Sequence, residues 1–168
     1  MTDERLGEAL LSTVATLPRG SGIVFRHYSL DQAERRAVLV KLSVIARRRR
    51  HVVVVAGQRL SVPRWWVAGF HGRGLAPRCA FHTAPVHSLR EAIAAQRAGA
   101  DLLFISPIFA TQSHPGGAVL GRVRFGLMIR SLQTPIIVLG GMTKSRGRSL
   151  KQMKIYGWAA ISAFTARG

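Results

Sequence analysis

Apolar and polar positions alternate along this chain in blocks that change period, from helix-like to strand-like and back. Residues 6–16 carry an amphipathic helical pattern, and Leu17-Pro18-Arg19-Gly20 ends it. Residues 22–26 (GIVFR) read as a strand. A longer helix is predicted from 30 or 31 to about 50, with Asp31 as its cap. The run at 52–55 is wholly apolar and suits a strand buried on both faces of a parallel sheet. Residues 66–70 and 79–82 are candidate short strands with little room for helices between them.

The pattern is sharpest from residue 88 onward. Ser88 stands where a helix beginning at Leu89 needs a cap, and Glu91 occupies the capping-box position. Gly99 suits the left-handed residue that closes such a helix. A buried strand is predicted at 102–105, a helix at 122–132, a strand at 136–139, a helix at 149–156 and a strand at 158–161. Strands alternating with helices imply a parallel sheet with right-handed crossovers. The count is seven strands, one short of a (β/α)₈ barrel, which usually takes about 250 residues.

At 168 residues the chain is read as one domain, 1–168, and 48% hydrophobic content is ample for a core. One cysteine, Cys79, excludes a disulfide framework and a cysteine-based zinc site. No apolar run approaches the ~20 residues of a membrane span and no signal peptide is evident. A cytoplasmic location is expected. The net charge of +18 predicts attraction to anions. The basic residues are spread over the chain, however. The one run, Arg47 to Arg50, sits at a predicted helix end, where cations complement the dipole. Nucleic acid is therefore not the expected partner, and phosphorylated small molecules are.

Polar, glycine-rich loops follow the predicted strands, and such loops at the C-terminal ends of parallel strands are where α/β proteins hold ligands. Gly140 and Gly141 follow one strand directly, and Ile161-Ser162 follows the next. Backbone N–H groups in two successive loops of this kind suit a phosphate.

Three ordered motifs carry a resemblance. HSLREAIAAQRAGADLLFISPIFATQSHPGGAVLG at 87–121, PIIVLGGM at 135–142 and GWAAISAF at 157–164 resemble the thiamine phosphate synthase family and its thiazole tautomerase relatives. The resemblance is strong over roughly 78–164 and weaker over 1–77. It implies a TIM barrel, here truncated at the first strand and the last helix, with residues 1–5 as the end of that first strand and the loop after it. A barrel lacking most of a strand exposes unpaired edges, so reduced stability is expected. Members of this kind often self-associate, which makes a homo-oligomer a possibility to test.

The resemblance also implies roles. Gly140, Gly141, Ile161 and Ser162 match the family's thiazole-phosphate cradle. Thr111, Ser113 and His114 occupy the loop positions that carry two hydroxyl residues and a basic residue near phosphate and pyrophosphate. His87 stands where the tautomerase relatives place a catalytic histidine, a residue type suited to proton abstraction near neutral pH. Arg26 is kept from the arginine-bearing stretch after the second strand. The family also uses Mg²⁺, held by carboxylates after its third and fourth strands. Here those positions read Ala56-Gly57 and 69–73 (GFHGR), with no acid. Diphosphate charge then falls to Arg26, Arg59, Arg73 or His27. Three activities stay open: transfer of the aminopyrimidine methyl group from its pyrophosphate onto thiazole phosphate, metal-independent tautomerisation of thiazole phosphate, or binding without catalysis.

Overall fold

The computed structural model describes residues 1–58, 60–74, 80–111 and 118–161. Its centre is a seven-stranded sheet in chain order: β1 (Gly22–Phe25), β2 (Val52–Ala56), β3 (Gly69–His71), β4 (Phe81–Val86), β5 (Leu102–Ile105), β6 (Ile136–Val138) and β7 (Gly157–Trp158). Every neighbouring pair is parallel. A sheet whose order equals its chain order is what repeated right-handed βα units give when they curl toward a barrel.

Five helices accompany the sheet: α1 (Ala9–Thr16), α2 (Gln32–Arg49), α3 (Leu89–Arg97), α4 (Gly121–Ile129) and α5 (Lys144–Ser149). Their starts follow local chemistry. Asp31 and Glu34 form a reciprocal capping box on α2, which satisfies N–H groups that the helix itself leaves unpaired. Ser88 accepts from the Glu91 N–H at the head of α3. Gly99, at φ 78°, provides the left-handed residue that turns the chain from α3 toward β5.

Two apolar layers hold the helices to the sheet. Phe25, Leu39, Leu42 and Val53 join α2 to β1 and β2, with Leu10 and Val14 of α1. Leu103, Ile105, Phe125, Val138 and Leu150 join β5 and β6 to α4 and the segment after α5. A smaller cluster, Val24, Val54, Ala56 and Phe104, lies on the opposite, concave face, and Met1, Ile137 and Ala159 pack against it.

The seam between β1 and β7 is bridged by the first two residues. The Met1 amino group donates to Ala160 O at 2.9 Å and the Thr2 N–H donates to Val24 O at 2.9 Å. The expectation of open, unpaired edges at this seam is corrected to that extent.

Other boundaries differ from the sequence reading, among them β7, which is Gly157–Trp158 where 158–161 was expected, and α4, which ends at Ile129 where 132 was expected. The helix expected at 149–156 is instead α5 at Lys144–Ser149, because Thr143 caps it by accepting from the Arg146 N–H. β4 runs on to Val86, well past the expected 82, and pairs with β5 through Pro85 and Val86. β3 begins at Gly69, since Trp66 belongs to a turn in which its N–H reaches Pro63 O. No helix of the described residues is long and apolar enough to cross a membrane.

Candidate functional site

The C-terminal ends of the strands surround a cavity of about 550 Å³. That size suits a small organic ligand. Arg26 and Tyr28 after β1, Gly57 after β2 and His71 at the end of β3 form one wall. His87 after β4, Ser106 and Thr111 after β5, Gly140 and Gly141 after β6, and Ile161 after β7 form the other. Arg26, His87, Thr111, Gly140, Gly141 and Ile161, singled out from sequence, thus share one mouth. Ser113, His114 and Ser162 lie outside the described residues, as does Arg59.

The two glycines owe their identity to close packing. Gly140 has φ 94°, and a Cβ there would stand 2.6 Å from Pro107 Cα. Gly141 has φ 60°, and its Cβ would stand 2.3 Å from Ala110 O. Both conformations favour glycine, and both glycines let the loop after β6 interlock with residues 107–110. The interlock is hydrogen-bonded, Ile108 N to Leu139 O and Phe109 N to Gly140 O. The described hydrogen bonds include none donated by the Gly140 or Gly141 N–H, so this turn has donors to offer an anion.

His87 is oriented by its surroundings. Its Nδ1 lies 2.8 Å from the Ser106 carbonyl oxygen, which can only accept. Nδ1 therefore carries a proton, and Nε2 is the ring nitrogen left outside this bond. The His87 backbone N–H donates to Glu91 Oε2 at 2.9 Å, tying the residue to the cap of α3. An imidazole so fixed presents Nε2 as the nitrogen that could exchange a proton.

The opposite wall is cationic and aromatic. The Arg26 guanidinium lies over the Tyr28 ring, 5.6 Å from its centroid. Behind it Arg35, only 4% exposed, donates to Gln58 O at 2.9 Å and to Ala56 O, tying α2 to the end of β2. His71 donates from Nδ1 to Thr83 Oγ1 at 2.8 Å, while Thr83 donates onward to Phe70 O. Burial above all, then the charges of Arg26, the amino terminus and His82, push the His71 pKa down to about 4. His71 is neutral at physiological pH and serves as a hydrogen-bonding wall, not a cation.

Sequence reasoning gave no binding role to His71 or Tyr28, and took Ser106 only as the start of the polar loop after β5. The signal available for them was position alone, each lying within three residues of a strand's C-terminal end. Two expected charge partners are elsewhere. Arg73 is not among the lining residues and pairs with Glu91 at 3.3 Å. His27 lies under Thr2, stacked on Phe25, and faces a separate depression beside Glu4 and Ser29.

The residues present do not suit Mg²⁺. This ion takes oxygen ligands, ordinarily one or two carboxylates besides phosphate oxygens and water. No aspartate or glutamate lines the cavity, and the described residues hold no group of three histidine, cysteine or acidic side chains placed for a metal.

Comparison with known proteins agrees with this arrangement. A sequence model of the thiamine monophosphate synthase family matches residues 81–164, half of the chain. The thiamine-phosphate synthase of Pyrococcus furiosus is 32% identical over 80 residues, covering 48% of this chain and 39% of that protein. A putative thiamine-phosphate synthase 2 of Aquifex aeolicus is 36% identical over 78 residues, covering 46% and 42%. The chain thus aligns with about two-fifths of the length of these curated relatives. In three dimensions the likeness extends further. The thiamine phosphate pyrophosphorylase structure from Pyrococcus furiosus superposes with a TM-score of 0.80 at 25% identity, over 96% of this chain and 83% of that one. The matched segment holds β4 to β7 and the loops that bring His87, Thr111, Gly140, Gly141 and Ile161 to the cavity. On this ground the chain belongs to the thiamine monophosphate synthase family.

Proposed function

We propose that the chain acts in thiamine biosynthesis as a thiamine phosphate synthase-like transferase, joining an aminopyrimidine methyl group to thiazole phosphate. The observation that carries this reading is the convergence of Arg26, His87, Thr111, Gly140, Gly141 and Ile161 on one cavity in a chain of that family.

The phosphate of thiazole phosphate lies against the turn at Gly140 and Gly141 and the segment at Ile161-Ser162, with Thr111, Ser113 and His114 contributed by the loop after β5. The thiazole ring occupies the apolar floor lined by Phe104, Pro85 and Met142. The pyrimidine pyrophosphate points its diphosphate toward Arg26. The bond between the pyrimidine methylene carbon and the pyrophosphate oxygen breaks, and its electron pair leaves with pyrophosphate. The carbocation-like methylene is then captured by the thiazole nitrogen lone pair. A guanidinium is suited to the growing charge on the leaving group, because it offers parallel N–H donors to two oxygens.

One observation favours a second reading. His87 presents Nε2 as the nitrogen outside its bond to Ser106 and no carboxylate is near enough for Mg²⁺, an arrangement that also serves metal-independent tautomerisation of thiazole phosphate. The test is an assay with aminopyrimidine pyrophosphate and thiazole phosphate, in parallel with thiazole phosphate alone followed by NMR. Thiamine phosphate formation supports the transferase. Isomerisation without condensation, lost in His87→Ala, moves the assignment to the tautomerase. Binding with neither reaction leaves a non-catalytic binder, and the transferase reading falls.

A further inference from the structure

We infer that the cavity takes its phosphate or diphosphate ligand as the free anion, with no divalent cation, and that Arg26 stands where the metal's charge would otherwise be needed. This rests on the phosphate-binding reading above.

The inference comes from a complete account of the carboxylates. The chain has seven aspartate and glutamate residues, and all fall within the described residues. Asp3 is engaged by Arg5 at 2.7 Å. Glu4 accepts from the Ser29 N–H at 3.0 Å. Asp31 and Glu34 cap α2 and each other's backbone. Asp101 accepts from the His82 N–H at 2.8 Å. Glu8 is exposed at the head of α1. Asp3 and Glu4 line a neighbouring depression that shares Arg26 and Tyr28 with the cavity, but neither lines the cavity itself. Glu91 holds the His87 N–H, but its carboxylate is already shared with Arg73 and it does not line the cavity either.

The remaining donors point the same way. Arg26 puts a fixed positive charge on the wall, and a divalent cation beside it is repelled while an anion is drawn in. His71 and His87 offer ring nitrogen, which suits zinc or copper better than magnesium. The hydroxyls of Ser106 and Thr111 are neutral. The low pKa of His71, caused in part by Arg26, reports the same positive field at the wall. The end of β2 shows the exchange most directly. Gly57 lines the cavity at the position where the family resemblance implies an acid, and the space a Cβ would take there is met by Tyr28 and Arg35.

The deciding measurement is calorimetric titration of the full chain with thiazole phosphate and, separately, with inorganic pyrophosphate. Each is run in EDTA and in millimolar Mg²⁺ at matched ionic strength. For thiazole phosphate the expected result is binding in EDTA with a Kd within about threefold of the Mg²⁺ value. For pyrophosphate, which complexes Mg²⁺ in solution, the metal should weaken binding if it acts at all. Arg26→Gln should lower pyrophosphate affinity by about tenfold to a hundredfold, the loss expected when a charge-assisted hydrogen-bonding group is removed. Tightening by Mg²⁺ of tenfold or more for either ligand overturns the inference and leaves the binding site standing. Failure of both ligands to bind in either buffer removes the phosphate-site reading, and this inference falls with it. If Arg26→Gln does not fold by circular dichroism, the wild-type comparison of EDTA with Mg²⁺ still decides.

Discussion

The two halves of the sheet are built alike and equipped differently. In the first half, β1 and β2 pack on α1 and α2 through Phe25, Leu39, Leu42 and Val53. In the second, β4 to β7 pack on α3 and α4 through Val86, Leu103, Ile105 and Phe125. Both interiors are made of close-packed aliphatic and aromatic side chains, yet the family's sequence model matches only from residue 81 onward. What separates the halves is the polar chemistry at the cavity rim. The second half presents glycines, hydroxyls and His87, while the first presents Arg26, Tyr28, Gly57 and His71. A hydrophobic layer accepts many substitutions if volume and pattern are kept, whereas a rim that loses its carboxylates changes the ions it can hold. Sequence divergence in the first half is therefore felt at the site more than in the fold.

The largest expected effect tests whether the first half has its own rigid frame. Arg35 spans from α2 to carbonyl oxygens at the end of β2 and lies over the Phe25 ring at 5.7 Å. Arg35→Ala strands two carbonyl acceptors and removes packing against Phe25 and Tyr28, a loss of about 4 kcal/mol. At about 2–4 °C per kcal/mol for a chain of this size, the melting temperature should fall by about 8–16 °C. A drop under about 3 °C in a thermal melt would show that the wall stands without it.

The next effect is a pH dependence placed in the first half by His71. Its folded pKa lies near 4, below the ordinary histidine value of 6.5. Between those values the unfolded chain binds the proton and the folded chain does not, so stability rises with pH in that window. The contribution is full above about pH 6.5 and is lost progressively down to about pH 4, roughly 3 kcal/mol in all. Burial pushes His27 and His51 in the same direction and adds to the slope. Asp3, held by Arg5 down to about 2, acts only at lower pH and does not blur the window. Denaturant melts from pH 4 to 7 should show the slope shrink in His71→Gln. An unchanged slope would assign it to the other histidines and to the buried Met1 amino group, whose pKa burial lowers to about 5.

The matching probe in the second half is Gly141→Ala. The left-handed backbone and the approach of its Cβ to Ala110 O cost about 2 kcal/mol of stability. The same change pushes the 107–110 loop off the turn, so phosphate-ligand binding should weaken more than the melting temperature suggests. Equal small losses in stability and affinity would mean that the interlock is not coupled to the site.

The legible parts of this molecule were those where local chemistry and tertiary packing agree. Asp31 and Ser88 cap the helices they were expected to cap, and the apolar runs at β2, β5 and β6 are strands. β4 continues beyond the expected 82 although Thr83 and Pro85 break an apolar pattern. The structure buries His82 and Thr83 regardless, bonding His82 Nε2 to Gly72 O and Thr83 to His71. The helix expected at 149–156 lies instead at Lys144–Ser149, with a glycine, Gly147, inside it. In the structure Gly147 is where Trp158 packs, with no room for a Cβ, so the glycine serves the packing of helix on sheet. The candidate site followed the same division. Glycines, His87 and Ser106 stand in recognisable motifs, whereas His71 and Tyr28 join them only when separate strands curl together.

The smallest effect is the most direct test of the contrast between the halves. Gly57→Asp returns a carboxylate to the wall that lacks one. The position has φ 77°, which aspartate tolerates better than most residues. The new Cβ would stand 2.9 Å from Tyr28 Cε1, but Tyr28 is 57% exposed and its ring has room to move aside. A single carboxylate with water gives a weak Mg²⁺ site. At 10 mM ion and a dissociation constant of similar size, the stabilisation is ~0.4 kcal/mol, a rise of about 1–2 °C. Arg26 lines the same wall and competes for the new carboxylate, so the rise should be larger in Gly57→Asp with Arg26→Gln than in Gly57→Asp alone. The parent chain, compared in MgCl₂ and in NaCl of equal ionic strength, should show no difference. A Mg²⁺-dependent rise already present in the parent would mean that the first half binds the ion through groups other than carboxylates. The distinction between a metal-holding and a cationic rim would then fail.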